Sequence, residues 1–466
     1  MNSDIINSVI RLSVSCVSVN PYAPYINGHS YPSVGTGFFI SEDLILTCGH
    51  VVEDAIKILF TVPSKEKVKY KAGVVSVYFD KDIALLKSID YKSETWLELG
   101  DSNDIKLSDS VTAVGYPLGS DNIKSAEGSV SGRQNNLIQH HVPINSGNSG
   151  GPLFNEHNKV MGINSAKIVS DDVEGISYTI PINDIIALMD ELKNPTFNDK
   201  VIYAPKLLIR IQDTDDKLKN FFGYNGENGI LISKLFDMSP LYNIGVRESD
   251  ILLEINNYSI DGVGELNVPW AVNKISIFDL LSTFTVDQIV PIKFYSVRSN
   301  EILTDNIQFN KNQRFNIRNI YYPYQNYDYE VIGGMVFMDL NHSHIDKLNK
   351  GQDISVFNKL EIINYDKLEN INKRRLLLAS VVDGSNIETT YELSSGVFVE
   401  NVNRFNINNL DDFRKHFKKG YIKDGVMYVY IKFSDGKQII LNTKEVYDED
   451  IELSKIFRYD ISSLLK

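Results

Sequence analysis

The sequence predicts a mainly β protein in three parts: a long first part of many short strands, then two smaller α+β modules. Three observations predict it. Short β-branched and aromatic runs separated by Gly, Asn, Asp and Pro turns fill residues 8 to about 180. A single helical pattern, PINDIIALMDELK at 181–193, follows and is stopped by Asn194-Pro195. Beyond a linker to about residue 204, two segments repeat the order strand, turn, strand, helix and closing strands.

In the first part the strand candidates are VIRLSVSCVSV, GTGFFI, LILTC, AIKILFTV, AGVVSVYF, DIALLK, SVTAVGY, VMGINSA and ISYTI. Their number and spacing fit an all-β barrel or sandwich pair. The second part, about 205–310, contains NGILISKLFDMSPLYNIGVRESDILLEINNYSI and the strand IVPIKFYSV. The third, about 325–466, contains RRLLLASVVDGSNI, GVFVENVNRFNI, the helix-like NNLDDFRKHFKKG and the strands MYVYIKF and KQIILNT, as a more diverged copy. The expected domains are 1–198, 199–312 and 313–466, the last with a C-terminal tail. A chain of 466 residues is too long for one hydrophobic core.

Composition excludes several classes. The apolar fraction is 43% and the charged fraction 23%, as in folded globular proteins. No window reaches the ~18 apolar residues of a membrane-spanning helix. The start, MNSDIINSVIRLSVSCVSVN, carries Asp4 and Arg11 and reads as a first strand rather than a signal peptide. With only Cys16 and Cys48 there is no disulfide framework, although one bridge between them stays open. A reducing, cytoplasmic or other intracellular compartment is the expectation. A net charge of −13 without a Lys/Arg cluster argues against nucleic acid as a partner.

The chemistry concentrates at INSGNSGGPLFN, residues 144–155. Such glycine density suits backbone that turns sharply or lies close to another group, and Ser149 is the candidate nucleophile. A serine hydroxyl needs a base, and the base needs a third group to hold it. His50 follows the apolar strand LILTC at a glycine turn, and Asp82 stands at the mouth of DIALLK. The order His50, Asp82, Ser149 is that of the chymotrypsin-type triad. Each residue alone has a structural reading as strand-end His, turn Asp or loop Ser. Gly147-Asn148-Ser149-Gly150-Gly151 also fits G-x-S-x-G of the α/β-hydrolases, but Pro152 and a strand follow it, where that motif requires a helix and downstream partners.

GTGFFI (35–40), LTCGHVV (46–52), DIALLK (82–87), VGYPLGS (114–120), GNSGGPLFN (147–155), GINSA (162–166) and GISYTIP (175–181) together resemble the protease domain of the Deg/HtrA family. The rest of the chain is similar to that family's PDZ domains, and INNYSIDGVGELNVPW with the diverged last module most resembles the plant-type members with a second PDZ. The resemblance implies a chymotrypsin-like pair of perpendicular six-stranded β-barrels, with His50 as general base, Asp82 as its orienting acid and Ser149 as nucleophile. The loop Gly147, Asn148, Ser149 would form the oxyanion hole. Pro143, six residues before Ser149, stands where trypsin-like specificity needs a carboxylate. Cleavage after small or aliphatic residues is therefore expected, with Ile163, Asn164, Ser165 and Ala166 as the substrate-binding strand. Relatives usually carry Asp-Ala-Ala and Pro where this chain has His141-Val142-Pro143 and Ser146.

A PDZ module takes an extended peptide at a sheet edge and often holds its carboxylate in backbone amides. In the first module that loop is expected at Asn228, Gly229 and Ile230, although Glu227 is badly placed beside a carboxylate. Unfolded or misfolded proteins are the expected substrates and a homo-oligomer, trimer or hexamer, the expected assembly. The aromatic stretch YYPYQNYDY (321–329) is either an interface or a linker. No cofactor is expected. His140 and His141 point to opposite faces of a strand, and His342 and His344 lack further ligands at zinc spacing, so no metal is expected. No P-loop suggests nucleotide use, and the activity is expected to be ATP-independent. The alternative is a proteolytically silent peptide-binding holdase or scaffold.

Overall fold

A computed structural model describes residues 2–26, 28–65, 67–134, 136–166, 175–271, 273–285, 288–309, 315–351 and 355–466. The boundary drawn between 312 and 313 lies outside them. By contact the chain forms two compact units, Met1–Cys16 with Tyr31–Gln313, and Val17–Ser30 with Arg314–Lys466.

The first part is two closed six-stranded barrels. One closes in the order Val9–Ser18, His29–Phe39, Leu44–Thr47, Ile83–Ser88, Tyr70–Tyr78, Ala55–Thr61. Alternation along its opening strand turns Ile10, Leu12, Val14 and Cys16 inward, where they are buried with Phe38, Leu46 and Phe60. The other closes in the order Pro152–Phe154, Val160–Ser165, Ser177–Pro181, Leu137–His140, Lys124–Gln134, Ser110–Gly115. Its core is Val111, Ala113, Val130, Ile138, Val142 and Leu153. The helical run at 181–193 forms two short helices, Ile182–Ala187 and Met189–Lys193, and ends at Asn194 because a residue before proline is pushed out of the α region. Both cysteines are free and buried.

The next module, in the same unit, is an antiparallel sheet in the order Ile209–Gln212, Ile230–Leu235, Ile251–Ile255, Ile289–Ser296, Glu301–Gln308. The second unit is built on an eight-stranded sheet. Its main path runs Tyr329–Ile332, Met335–Asp339, Leu376–Val381, Val397–Val402, Val426–Phe433, Tyr421–Lys423, and Gln438–Asn442 pairs with Val426–Phe433. The helix Leu410–Phe417 is capped by the Asn409 side chain and buries Leu410, Phe413 and Phe417, with Phe413 stacked on Phe337 at 4.5 Å. Val17–Ser30, read from the sequence as part of the barrel region, packs within this unit. There Tyr22 Oη donates to the His344 carbonyl at 3.2 Å, and His344 Nε2 donates to the Pro21 carbonyl at 3.0 Å.

Two buried histidines are neutral structural groups. His344 is pushed down to about 4 by burial. His140 accepts the Val142 N–H on Nδ1 and donates from Nε2 to Thr179 Oγ1 at 2.8 Å. Burial, and then the neighbouring His141, lowers its pKa to about 4. In the unfolded chain the same group takes its proton near pH 6.5. Its contribution is therefore present above about pH 6.5 and lost as pH falls toward about 4, a change of about 3 kcal/mol. Both tryptophans, Trp96 and Trp270, lie in the first unit and report its unfolding. Urea titrations followed by their fluorescence should show a smaller stability loss between these pH values for His140→Gln than for the parent. Equal losses would show that His140 does not carry the acid sensitivity.

Candidate active site

Both members of the base–acid pair sit at turns that the first barrel positions. After the strand Leu44–Thr47 the chain enters a 3₁₀ turn at His50–Val52, and Asp82 ends another such turn at φ 57° just before Ile83–Ser88. Gly49 packs directly against this turn: a Cβ there would lie in van der Waals contact, 3.4 Å from the Asp82 backbone. His50 Nδ1 lies 2.8 Å from Asp82 Oδ2, and the His50 amide donates to Oδ1 at 2.8 Å. Ser165 Oγ donates to the same carboxylate at 2.7 Å. Burial pushes the Asp82 carboxyl up, but His50 and the Ser165 hydroxyl outweigh it and hold the group below its usual value. Asp82 is thus ionised at neutral pH and fixes the proton of the imidazole on Nδ1. His50 Nε2 is left as the basic nitrogen.

Ser149 is buried, on a loop whose glycines answer to specific neighbours. A Cβ on Gly147 (φ 96°) would lie 2.3 Å from the Tyr116 carbonyl, and one on Gly150 (φ 87°) would lie 2.1 Å from both the Thr36 carbonyl and Thr47 Oγ1. Only glycine fits that backbone. The Asn148 amide closes a turn onto the Asn145 carbonyl at 3.0 Å, so it is not an oxyanion donor. The amides of Gly147 and Ser149 donate to no protein group among the described residues. Ser149 Oγ accepts the Ala166 N–H at 3.1 Å, and no hydrogen bond joins it to His50 among the described residues.

Thr36 fastens this loop to the first barrel. Its amide donates to the Ser149 carbonyl at 2.9 Å, and its hydroxyl donates to the Gly147 carbonyl at 2.7 Å while accepting the Tyr116 N–H at 3.1 Å. GTGFFI reads as a strand, and nothing in its pattern marks the threonine as a positioning residue. The signal available was a hydroxyl amid apolar residues, fully buried once folded.

The substrate strand needs correction. Ile163, Asn164 and Ser165 are fully buried, because this strand pairs with Ser177–Pro181 through Ser165. The Asn164 side chain donates to the Pro152 carbonyl and accepts from Thr179, and its carbonyl receives the Gly150 amide and the Cys48 thiol. Ser165 serves Asp82. Of the four residues only Ala166 is partly accessible. The peptide loop at Asn228, Gly229 and Ile230 is corrected as well. Ile230 is buried and opens an interior strand of its sheet, while the Gly229 amide donates to the Ile260 carbonyl at 2.8 Å and Asn228 Nδ2 donates to Ser259 Oγ at 2.9 Å. A carboxylate-holding pair of amides does exist in the second unit, at Gly333 and Gly334, but Asp450 fills it at 2.9 and 3.3 Å.

Cys48, His50 and Asp82 bring their ligand atoms within 4.8 Å of one another. His50 and Asp82 are bonded to each other, however, and burial with the Asp82 charge keeps the Cys48 thiol protonated. Two of the three donors are thus engaged with each other and the third is a protonated thiol.

Replacing Thr36 by Val keeps shape but strands two buried polar groups, at about 1–3 kcal/mol each. Labelling of Ser149 by a fluorophosphonate should slow about 10- to 100-fold in Thr36→Val, and Thr36→Ser should restore it. A Thr36→Val protein labelled at the parental rate would show that the clamp does not position the loop.

Residues 35–163 match the family described as a trypsin-like peptidase domain, and residues 322–463 match a PDZ domain. The second match falls on the module whose sequence reads as the more diverged copy. A DegP-like probable periplasmic serine endoprotease of Halomonas elongata is 35% identical over 268 residues, 55% of this chain and 54% of the relative. One of Marinomonas sp. is 37% identical over 243 residues, 50% of each. The chain thus spans about half the length of these curated relatives. An HtrA-type protease, AlgW, solved as a variant with a decapeptide, shares the fold at a TM-score of 0.52 and 20% identity, over 66% of this chain and 95% of that one. The expected cytoplasmic or other intracellular location is overturned by these relatives, which are named periplasmic. Absence of a recognisable address was a weak guide to compartment. The chain joins a trypsin-like peptidase domain to a PDZ domain and is a homologue of the DegP/HtrA serine endoproteases.

Proposed function

We propose that the chain is an ATP-independent serine endopeptidase that cleaves unfolded or misfolded polypeptides outside the cytoplasm. The observation that carries this reading is the His50–Asp82 pair at 2.8 Å beside Ser149, whose own amide and that of Gly147 donate to no protein group among the described residues. In the reaction Ser149 Oγ turns from the Ala166 amide to His50 Nε2, gives up its proton there and attacks the scissile carbonyl. His50 then returns the proton to the leaving amine, and Asp82 stabilises the imidazolium. The Gly147 and Ser149 amides bind the oxyanion, at about 100- to 1,000-fold in rate for one donor. With Pro143 at the position of a trypsin-like carboxylate, cleavage follows small or aliphatic residues. The domains 1–198, 199–312 and 313–466, with Val17–Ser30 assigned to the last, assemble as a trimer or hexamer. A silent holdase is disfavoured because it has no use for a held imidazole and a glycine-built loop together.

The first small module bears on the peptidase through a polar path. Trp270 Nε1 donates to Asn136 Oδ1 at 3.1 Å, Asn136 Nδ2 donates to Asp184 Oδ2 at 2.9 Å, and Lys81 reaches the same carboxylate at 3.2 Å. Lys81 directly precedes Asp82. This supports regulation by the module over mere packing.

A fluorophosphonate probe should label the parent and not Ser149→Ala, and the parent should degrade unfolded casein. Absence of both labelling and cleavage would sink the peptidase reading and leave the holdase. Trp270→Phe keeps an aromatic side chain and removes the indole N–H. It should change kcat on casein by about two- to tenfold, the effect of roughly one hydrogen bond, with KM and the unfolding midpoint held. An unchanged kcat would rule the path out as a control line.

A further inference from the structure

The second unit carries a built surface that neither the triad nor the Gly333–Gly334 amides use. The strands Tyr421–Lys423, Val426–Phe433 and Gln438–Asn442 are paired through Tyr421↔Tyr428 and Tyr430↔Ile440. Alternation sends Val429, Ile431, Ile439 and Leu441 into the core and turns Tyr428, Tyr430 and Ile440 to the opposite face. Tyr421 and Ile440 are 69% and 60% exposed. These side chains help line an open cavity of about 1080 Å³.

The remaining lining is positive. Arg404, Lys419 and Lys423 stand in it with no carboxylate lining residue. None of the three forms an ion pair among the described residues, whereas Lys432 on the central strand is answered by Glu400 at 2.7 Å. Lys419 Nζ lies 4.5 Å from the centroid of Phe405, itself stacked on His416 at 4.2 Å, so an aromatic face supports this charge in place of a counter-ion. Asn403 and Arg404 both have positive φ, 49° and 70°, a conformation asparagine tolerates but arginine holds only when the surroundings fix it. Here the Asn403 amide donates to the Tyr430 carbonyl at 2.9 Å, the Tyr430 amide donates to Asn403 Oδ1 at 3.0 Å, and Asn403 Nδ2 donates to the His416 carbonyl at 2.8 Å. The turn is clamped where it brings Arg404 to the rim. Finally, Tyr421–Lys423 ends the sheet path, paired only with Val426–Phe433, so one main-chain edge is open among the described residues.

We propose that this face binds an extended acidic polypeptide segment: its carboxylates meet Arg404, Lys419 and Lys423, its apolar side chains lie on Tyr421, Tyr428 and Ile440, and its backbone adds to the edge of Tyr421–Lys423. An uncompensated cluster of cations in a chain of net charge −13 favours an anionic partner locally. The open edge and the aliphatic Ile440 favour a polypeptide over a polyphosphate or nucleic acid, which has no backbone amides to pair with a strand. Because Asp450 already fills the Gly333–Gly334 amides, the proposed capture is of an internal segment rather than a chain terminus. Such capture does not depend on peptidase activity.

The test uses full-length Ser149→Ala protein and fluorescence anisotropy with a labelled peptide of alternating Asp and Tyr. A Lys-Tyr peptide of equal length and an oligothymidylate serve as controls. The acidic peptide is expected to bind, more weakly as salt rises, and to prefer the protein over the Lys-Tyr peptide by about tenfold or more. Lys423→Glu and Arg404→Ala, both at exposed positions, should each weaken it about three- to tenfold, and Tyr421→Ala likewise, with unfolding midpoints unchanged. Equal binding of acidic and basic peptides, or affinity indifferent to Lys423→Glu and Arg404→Ala together, would overturn the proposal. Tighter binding of the oligothymidylate, lost in the same variants, would also overturn it and assign the face to nucleic acid.

Discussion

Thr36 lies on a strand of the first barrel, and its amide and hydroxyl hold the carbonyls of Ser149 and Gly147 on the second. The Ser149 loop has no core of its own. Its shape comes from this clamp and from glycines that let backbone approach within distances no Cβ allows. Gly150 sits between the Thr36 carbonyl and Thr47, and its amide reaches the Asn164 carbonyl at 2.9 Å. Folding the two barrels against each other and building the site are thus one event, because the carbonyls of Gly147 and Ser149 find their partner, Thr36, across the cleft.

The same buried network sets the charges. Asp82 is desolvated, which by itself would favour its neutral form, yet three hydrogen bonds from His50 and Ser165 keep it ionised. Nearby His140 is also buried but has only neutral partners, and it stays uncharged. Two histidines of one unit are therefore put to different uses by what faces them: a carboxylate in one case, a threonine hydroxyl and an amide in the other. Asn164 and Ser165 belong to this supporting layer, which explains why a strand running beside the nucleophile is mostly out of a substrate's reach.

In the second unit the pattern is reversed. Lys432 on the outer sheet face is paired, whereas Arg404, Lys419 and Lys423 form no ion pair among the described residues, and Arg404 is held at a positive φ that its side chain disfavours. The amide pair that holds a carboxylate is satisfied internally by Asp450, a group that burial raises to about 6. Peptide recognition by this unit is accordingly directed to its sheet face and strand edge.

His50, Asp82 and Ser149 were legible in the chain because each sits in a local pattern with its own logic: a strand-end glycine turn, a strand mouth and a glycine-dense loop. The strands of both barrels were legible for a similar reason, since alternation is written in neighbouring residues. Thr36, the role of Ser165 and the burial of Ile163 and Asn164 were not, because each depends on a partner tens of residues away that no local pattern names. The PDZ-type loop was misplaced on the same ground: NGILI reads as loop and strand, but whether that strand is interior or at an edge depends on Ile209–Gln212 pairing beside it. The sequence places Val17–Ser30 in the first domain, 1–198, yet Tyr22 and Tyr25 are buried in the second unit's core. Local chemistry and periodicity are carried by adjacent residues and survive in one dimension. Partnership, burial and edge are properties of pairs brought together by folding, and they come into being only with the assembled structure.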